Sequence, residues 1–284
     1  MRMGAIDQFI AQTRARILRS DTKIVVIDAD LAAFIEREPG DPPFVTLDEL
    51  FAVDGPAESD YLRPPSDPDA LAVLQFTSGS TSEPKGVMLP HRAVCNNLDG
   101  AWSAARITHD EVIVSWLPLY HDMGLIGCVF PALERPSVLT LLPPEAFVAR
   151  PALWLRALGR HRGTISPAPN FAYALATERI RDEEMEGIDL SPWRFALCGA
   201  ETVVPEVLRA FAERFARWGF RPQALKPVYG LSEAALAVTF ADLERSFLAV
   251  HFDRTALVER GEAVAVAMPS MPPSGDQARE IVSV

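Results

Sequence analysis

Residues 194–229 read RFALCGAETVVPEVLRAFAERFARWGFRPQALKPVY, and they predict a strand, an amphipathic helix and a second strand in succession. The two strands cover 194–198 and 227–229. Between them, Pro205 stands near the start of the helix and Gly219 beyond its end, where these residue types favour helix boundaries. Apolar residues recur at helical spacing at Val204, Val207, Leu208, Phe211, Phe215 and Trp218. This succession is typical of an α/β protein.

The same alternation extends through the middle of the chain. Strands are predicted at 112–116, 138–142 and 164–166, and helices at 124–133, 152–160 and 171–180. Such a rhythm implies a mainly parallel sheet with flanking helices. A segment rich in Pro, Asp and Ser ends near residue 69 and predicts a boundary there, whereas 241–284 lose the rhythm and are expected to be irregular or small-stranded.

Composition limits the classes of partner. The chain has 284 residues, 49% of them hydrophobic, and a net charge of -11, which argues against a nucleic-acid or anionic-membrane surface. Any phosphate ligand is therefore expected in a small, enclosed site with local donors. No apolar stretch is long enough for a membrane span. Cys95, Cys128 and Cys198 are widely spaced and are expected to be reduced and buried, which predicts a cytoplasmic location.

A hydroxyl-rich loop stands between two short apolar runs. Residues 77–86 read TSGSTSEPKG, between predicted strands at 70–76 and 86–89. Glycines let backbone N–H groups approach oxyanions, hydroxyls donate further hydrogen bonds, and Lys85 adds a positive charge, so the loop suits a polyphosphate. It is not a Walker loop, because Pro84 precedes the lysine and the loop leads to a strand. An ordinary Ser/Gly/Pro hairpin is the alternative.

Polar segments directly follow three of the predicted strands. They cover 117–124, 199–201 and 230–234. Ligands of open α/β sheets bind beyond the carboxyl ends of the strands. Together with the loop at 77–86, these segments are expected to form the walls of one cleft.

These four segments together resemble the motifs of the adenylate-forming superfamily of acyl-CoA synthetases and adenylation domains. Residues 115–124, 168–172 and 252–254 are in addition similar to the fatty-acyl-AMP ligase branch, which serves lipid biosynthesis. The resemblance implies part of the large N-terminal α/β domain, without the C-terminal domain. It divides the chain into a remnant of the N-terminal subdomain with a linker at 1–69, an AMP-binding core at 70–240 and an insertion-like segment at 241–284.

The resemblance also implies ligands and site residues. The implied reaction uses ATP and Mg²⁺ to activate a fatty acid, with an acyl carrier protein or CoA as the acceptor. The phosphates would be held by Thr77, Ser78, Gly79, Ser80, Thr81 and Lys85, and the adenine by Gly199, Ala200, Glu201, Tyr229 and Gly230. Ser232 would contact the α-phosphate and Glu233 would bind Mg²⁺. The fatty acid would lie against His121, Asp122, Met123, Gly124, Asn170 and Phe171. The catalytic residues would be His121, Ser232 and Glu233.

Other interpretations remain open. In the family, the C-terminal domain supplies a catalytic lysine. Because the resemblance implies a chain without this domain, the chain could bind nucleotide without turnover. Residues 230–234, GLSEA, nearly match the nucleophile elbow of α/β-hydrolases, which would make Ser232 a nucleophile and His251 its base, but the last glycine is missing. Individually, Tyr229 could be a core aromatic residue, Glu233 a helix cap, and His121 a residue packed at a helix start.

Overall fold

The computed structural model describes residues 3–35, 37–52, 55, 60–77, 85–108, 110–135, 137–266 and 278–284, without the side chains of 3–8. Residue contacts divide the chain into two units, Met1–His91 and Arg92–Val284. Among the described residues, no helix has both the length and the apolar character needed to cross a bilayer.

The described residues of the first unit form two pairs of strands and three helices. Its elements are α1 (Met3–Arg19), β1 (Val25–Ile27), α2 (Ala29–Ala32), β2 (Phe44–Thr46), α3 (Leu47–Ala52), β3 (Leu71–Thr77) and β4 (Lys85–Pro90). β1 and β2 are parallel, whereas β3 and β4 are antiparallel and place Thr77 opposite Lys85. Arg14 on α1 contacts the Asp41 carboxylate at 2.8 Å and so fixes the helix to the segment before β2. β3 and β4 confirm the two strands predicted around the hydroxyl-rich loop.

The second unit is built from alternating strands and helices. It contains α4 (His91–Ala104), β5 (Val112–Ser115), α5 (Asp122–Gly124), α6 (Phe130–Glu134), β6 (Val138–Leu141), α7 (Pro144–Ala149), α8 (Ala152–His161), β7 (Ile165–Ala168), α9 (Asn170–Arg179), β8 (Phe195–Cys198), α10 (Pro205–Phe215), β9 (Leu225–Leu231), β10 (Leu236–Phe240), β11 (Ala249–Asp253), α11 (Arg254–Glu259) and β12 (Ala278–Val282). A π-helical segment, Leu125–Val129, joins α5 to α6. Short 3-10 turns cover Asp182–Met185, Ala216–Trp218, Pro222–Ala224 and Ser232–Ala234.

A six-stranded sheet organises this unit, in the order β10-β9-β8-β7-β5-β6. The five strands from β5 to β9 are parallel, and β10 pairs antiparallel with β9 at the edge. The carboxyl ends of the parallel strands consequently point to one edge of the sheet, where the polar segments follow them. The expected α/β fold with a mainly parallel sheet is confirmed.

Aromatic side chains fill the core beneath the sheet. Trp154, Trp193, Tyr173 and Phe211 are fully buried and meet one another mainly edge to face, with ring centroids 5.0–6.3 Å apart. The amphipathic pattern of α10 explains this packing, because its Phe211 enters the core from the predicted apolar face. Aromatic rings bury a large apolar area each and therefore contribute strongly to stability.

The C-terminal residues form a small antiparallel pair, β11 and β12. Arg209 on α10 donates to Glu280 on β12 at 2.8 Å, which fixes the pair to the helix. The Asp253 carboxylate caps α11 by accepting from the Ala256 N–H at 2.6 Å. In the described residues, this segment thus contains small strands together with one short helix, α11.

All three cysteines are free, but they differ in exposure. Cys128 and Cys198 are buried, as predicted, whereas Cys95 on α4 is exposed. The prediction was wrong for Cys95 because its apolar neighbours in sequence, Val94 and Leu98, occupy the buried face of a helix that leaves Cys95 outside.

Candidate functional site

The segment after β5 turns sharply before α5 begins. His121 lies at the N-terminal end of α5, while Asp122, Met123 and Gly124 are buried in its first turn. Gly124 is required by the turn, because a Cβ at this position would overlap the carbonyl oxygen of Pro118. The local packing therefore sets the place of His121 and Asp122 at the carboxyl edge of the sheet.

Asp122 joins this segment to the turn that follows β9. Its Oδ2 accepts a hydrogen bond from the Ser232 hydroxyl. Its Oδ1 accepts from the Met123 N–H at 2.6 Å and lies 2.8 Å from Nδ1 of His121. Because β8 and β7 lie between β9 and β5 in the sheet, the loops converge above the strand ends to make this contact. The structure thus brings His121, Asp122 and Ser232 together.

The two ionisable groups of this cluster stabilise each other's charge. The hydrogen bond to Asp122 raises the pKa of His121, and partial burial of the imidazole opposes this shift only in part. Burial by itself raises the pKa of Asp122, but hydrogen bonds from His121 and Ser232 outweigh it and leave that pKa below its ordinary value. The pair therefore favours an imidazolium beside a carboxylate.

A second contact joins the ends of β7 and β8. The Glu201 carboxylate accepts a hydrogen bond from the Phe171 N–H at 2.6 Å, at the N-terminal end of α9. The buried Asn170 accepts with its Oδ1 from the Val204 N–H at 2.9 Å. Carboxylates are favourable at helix N-termini, so one Glu201 oxygen is engaged by the protein itself. Gly199 and Ala200 stand directly before Glu201 at the same strand end.

Tyr229, Gly230 and Glu233 lie along β9 and the turn after it. Tyr229 is 53% exposed and pairs with Thr239 of β10, so it is not a buried core residue. Gly230 pairs with Ala237 of the same strand. Glu233 is exposed beside Ser232 in the 3-10 turn.

The predicted phosphate residues belong to the first unit. Thr77 ends β3 and Lys85 begins β4, directly opposite each other. Ser78, Gly79, Ser80 and Thr81 lie outside the described residues.

Comparison with known proteins identifies the family of this chain. A family model described as AMP-binding enzyme matches residues 7–248. The chain belongs to the AMP-binding enzyme family. It is 42% identical over 222 residues to the 4-hydroxyphenylalkanoate adenylyltransferase of Mycobacterium marinum, a match that covers 77% of this chain and 35% of that protein. It is 35% identical over 209 residues to the medium-chain-fatty-acid–[acyl-carrier-protein] ligase TtuA of Teredinibacter turnerae, covering 73% of this chain and 32% of the relative.

A solved structure shows the same fold. The fatty acyl-adenylate ligase from L. pneumophila, crystallised with acyl adenylate and pyrophosphate, matches 96% of this chain and 46% of its own, with 32% identity and a TM-score of 0.84. The resemblance to fatty-acyl-AMP ligases is therefore confirmed, and the fold matches the N-terminal domain of adenylate-forming enzymes. The chain spans about a third of the length of the two curated relatives and about half that of the solved structure.

One buried aromatic residue beside the candidate site was not among the site residues predicted from the sequence, although it lies in the motif at 115–124. Trp116, directly after β5, is buried; its ring stacks on Phe147 with centroids 3.9 Å apart and meets Phe171 edge-on at 5.9 Å. Its indole Nε1 has no hydrogen-bond partner among the described residues. The signal available in the sequence was its position at the end of a strand, next to the polar segment.

Metal binding by this family member would depend on few protein ligands. The described residues contain no group of three His, Cys, Asp or Glu side chains able to hold a metal ion. Mg²⁺ is commonly bound by one or two carboxylates together with substrate phosphates. The exposed carboxylate of Glu233 fits such a site, because its charge faces solvent beside the Ser232 turn.

Proposed function

We propose that this chain activates a fatty acid as its AMP ester, using ATP and releasing pyrophosphate. The contact between Asp122 and Ser232 carries the proposal, because it brings two of the motif segments together at the carboxyl edge of the sheet. In the reaction, an oxygen of the substrate carboxylate attacks the α-phosphorus. The bond from that phosphorus to the bridging oxygen breaks, and pyrophosphate leaves with the electron pair.

The residues at the sheet edge have complementary roles in this proposal. His121, whose raised pKa favours the imidazolium, would orient and neutralise the carboxylate of the fatty acid. Tyr229 has an exposed ring on which the adenine would stack, and Gly199 and Ala200 would lie against the base. Ser232 would donate to the α-phosphate. The fatty acid would lie against Met123, Gly124, Asn170 and Phe171, while Glu201 would complete the adenine site beside Gly230.

The hydroxyl-rich loop would bind the β- and γ-phosphates. Thr77 and Lys85 frame the loop from opposite strands, and the lysine supplies the positive charge that these phosphates need in a chain with a net charge of -11. Glu233 would hold Mg²⁺, which neutralises negative charge on the phosphates when bound.

The acceptor of the acyl group is proposed to be an acyl carrier protein, with CoA as the alternative. The relative TtuA supports this choice, because its name specifies an acyl carrier protein.

The free state of all three cysteines supports a cytoplasmic location, which remains a prediction. The division into 1–69, 70–240 and 241–284 likewise remains part of the proposal.

Exchange of labelled pyrophosphate into ATP tests the reaction directly. We expect exchange only when a fatty acid is added, because formation of the acyl adenylate is reversible. Lys85→Ala should weaken ATP binding, and Glu233→Gln should raise the Mg²⁺ concentration needed for half-maximal exchange. The exposed pair of Arg106 and Glu244 offers a control, since Arg106→Ala removes a cation from the surface. Absence of exchange over a series of acyl chain lengths would contradict the proposal.

Binding of nucleotide without turnover is the second candidate. It needs only the nucleotide contacts proposed for Tyr229, Gly199 and Ala200, and no chemical step. Isothermal titration with ATP would then show binding while exchange is absent. The hydrolase interpretation gains no support, because the Ser232 hydroxyl donates to the Asp122 carboxylate, whereas His251 lies on β11 opposite Glu280. Release of free acid from an ester would be needed to revive it.

A further inference from the structure

We propose that Asp122 is a positioning residue that holds the Ser232 hydroxyl and the His121 imidazole as one unit and makes no contact with the ligand itself. This inference rests on the proposed function for the meaning of the two groups, but its evidence is the geometry of the cluster. It gives Asp122 a role different from the substrate contact that the sequence suggests.

The carboxylate of Asp122 is occupied on both oxygens. Ser232 donates to Oδ2, and the Met123 N–H donates to Oδ1 at 2.6 Å, the same oxygen that lies 2.8 Å from Nδ1 of His121. Asp122 is only 7% exposed. A buried carboxylate with three donors is stabilised in place and leaves little surface for a further partner.

The contact determines where the Ser232 hydroxyl can act. Its hydrogen points to Asp122, so the side chain is held in one rotamer above the end of β9. An arriving phosphate therefore meets a hydroxyl already located at the site, which needs only a rotation of its O–H bond to donate outward. The entropy of fixing the side chain is then lost on folding instead of on binding.

The same carboxylate determines the state of His121. Nδ1 faces Asp122, so Nε2, on the other side of the ring, is left for solvent or ligand; the side chain is 48% exposed. Nδ1 also lies 3.2 Å from the Met123 N, but a protonated Nδ1 cannot accept, and Met123 then donates to Asp122 alone. Loss of that proton would let Nδ1 compete with Asp122 for the Met123 N–H.

The described residues that form this unit come from two segments. The start of α5 supplies His121 and Asp122, and the turn after β9 supplies Ser232 with Glu233 beside it. Among the charged groups of the described residues, Asp122 is the one that raises the pKa of His121. In the form with a protonated His121, the unit would have no net charge and would not repel a phosphate.

Titration of the histidine rings by NMR tests the proposal without turnover. The chain has five histidines, and His121→Gln identifies the signal of His121. We expect Asp122→Asn, which keeps the shape but not the charge, to move the titration of His121 to lower pH. Asp182→Asn is the matched control, because it removes a carboxylate that pairs with Arg214 in a surface ion pair, and it should leave the His121 titration unchanged.

Ser232→Ala provides an independent arm should Asp122→Asn not fold. It keeps the charge of Asp122, so the His121 titration should not fall, while the carboxyl carbon signal of Asp122 should titrate at higher pH because a donor is lost. An unchanged His121 titration in folded Asp122→Asn, or an unchanged Asp122 titration in Ser232→Ala, overturns the proposal.

Pyrophosphate exchange separates this inference from the proposed function. If Asp122 acts through its two partners, the loss of exchange in the double variant D122N/S232A should be smaller than the product of the two single losses. Fully multiplicative losses would overturn the positioning role. If exchange is absent in every form, including the unmutated chain, the proposed function fails, and the two titrations still decide whether Asp122 organises the cluster.

Discussion

The side chain of Asn97 on α4 pairs with the backbone of Ala237 on β10 as a neighbouring strand would. Its Nδ2 donates to the Ala237 carbonyl at 2.8 Å, and its Oδ1 accepts from the Ala237 N–H at 3.0 Å. Nδ2 also lies 3.0 Å from the carbonyl of Ala234. The register of β10 against β9 shifts between Ala237 and Thr239, so Asn97 satisfies backbone groups at an irregular point of an edge strand.

Replacement of Asn97 should therefore destabilise the fold. Asn97→Ala leaves partly buried backbone groups without partners and should lower the free energy of unfolding by about 1–3 kcal/mol. Urea denaturation followed by tryptophan fluorescence measures this, since all five tryptophans lie in the second unit. Asn96→Ala, at the exposed neighbouring position, should change stability by less than about 0.5 kcal/mol. Equal effects of the two variants would show that the Asn97 contacts do not stabilise β10.

Two helical glycines should respond in opposite directions to alanine. Gly124→Ala places a Cβ against the Pro118 carbonyl and should destabilise the second unit by about 1–3 kcal/mol. At Gly100 on α4, a Cβ meets no atom within 4 Å. Gly100→Ala should accordingly stabilise by about 0.5–1 kcal/mol through helix propensity. Thermal unfolding of both variants would disprove this reasoning if Gly124→Ala melted at or above the temperature of Gly100→Ala.

Lys226 should stabilise the segment that follows β10. The residue is 1% exposed, and its ammonium donates to the carbonyls of Asp242, Leu243 and Arg245 at 2.7–2.9 Å. Lys226→Met leaves three acceptors without this donor and should cost about 3 kcal/mol in urea denaturation. Arg106→Met removes an exposed cation from the same unit and serves as the control. A loss below about 1 kcal/mol for Lys226→Met would mean that water replaces the ammonium.

Acid should weaken the attachment of β12 to α10. The hydrogen bond from Arg209 holds the pKa of Glu280 below its ordinary value of 4.5, against the effect of burial, and Glu206 and His251 also face this carboxylate. A lowered folded-state pKa contributes stability that is present above pH 4.5 and is lost as pH falls through the folded value. Glu280→Gln should thus be less stable than the unmutated chain at neutral pH.

The difference between the two forms should shrink on acidification. Urea midpoints at neutral pH and at about pH 3.5 measure it, because the unfolded-state carboxyl is then largely protonated. Glu183→Gln, an exposed change on the Asp182–Met185 turn, provides the comparison. A gap between Glu280→Gln and the unmutated chain that stays constant with pH would rule out this linkage.

The elements of the sheet could be predicted because their signals are local. The apolar repeat of α10, with Pro205 at its start, appears in the sequence at the period of a helix, and the structure places the helix at Pro205–Phe215. By contrast, α4 and β10 were not predicted. α4 begins directly after Pro90, and β10 is an edge strand whose second residue, Ala237, is bonded by Asn97 from 140 positions away.

The site could be predicted as a set of strand ends but not as a set of contacts. The sequence shows that Asp122 follows one strand and Ser232 another, yet the hydrogen bond between them depends on how loops converge over two intervening strands. Glu201 shows the same limit. Its motif suggests a ligand contact, and the structure adds a hydrogen bond from the Phe171 N–H to one carboxylate oxygen, a partner that the adjacency of β7 and β8 provides.

The π-helical segment Leu125–Val129 determines which faces α5, with Asp122, and α6 present. A π segment accommodates one more residue than the corresponding α-helical turn, so deleting one residue there would restore ordinary α winding and leave the residues on either side on their present faces. Pro131, which lies at the start of α6 and is buried, would keep its buried face. A single-residue deletion within Leu125–Val129 should therefore be tolerated better than one within a regular helix such as α10, where every residue beyond the deletion changes face.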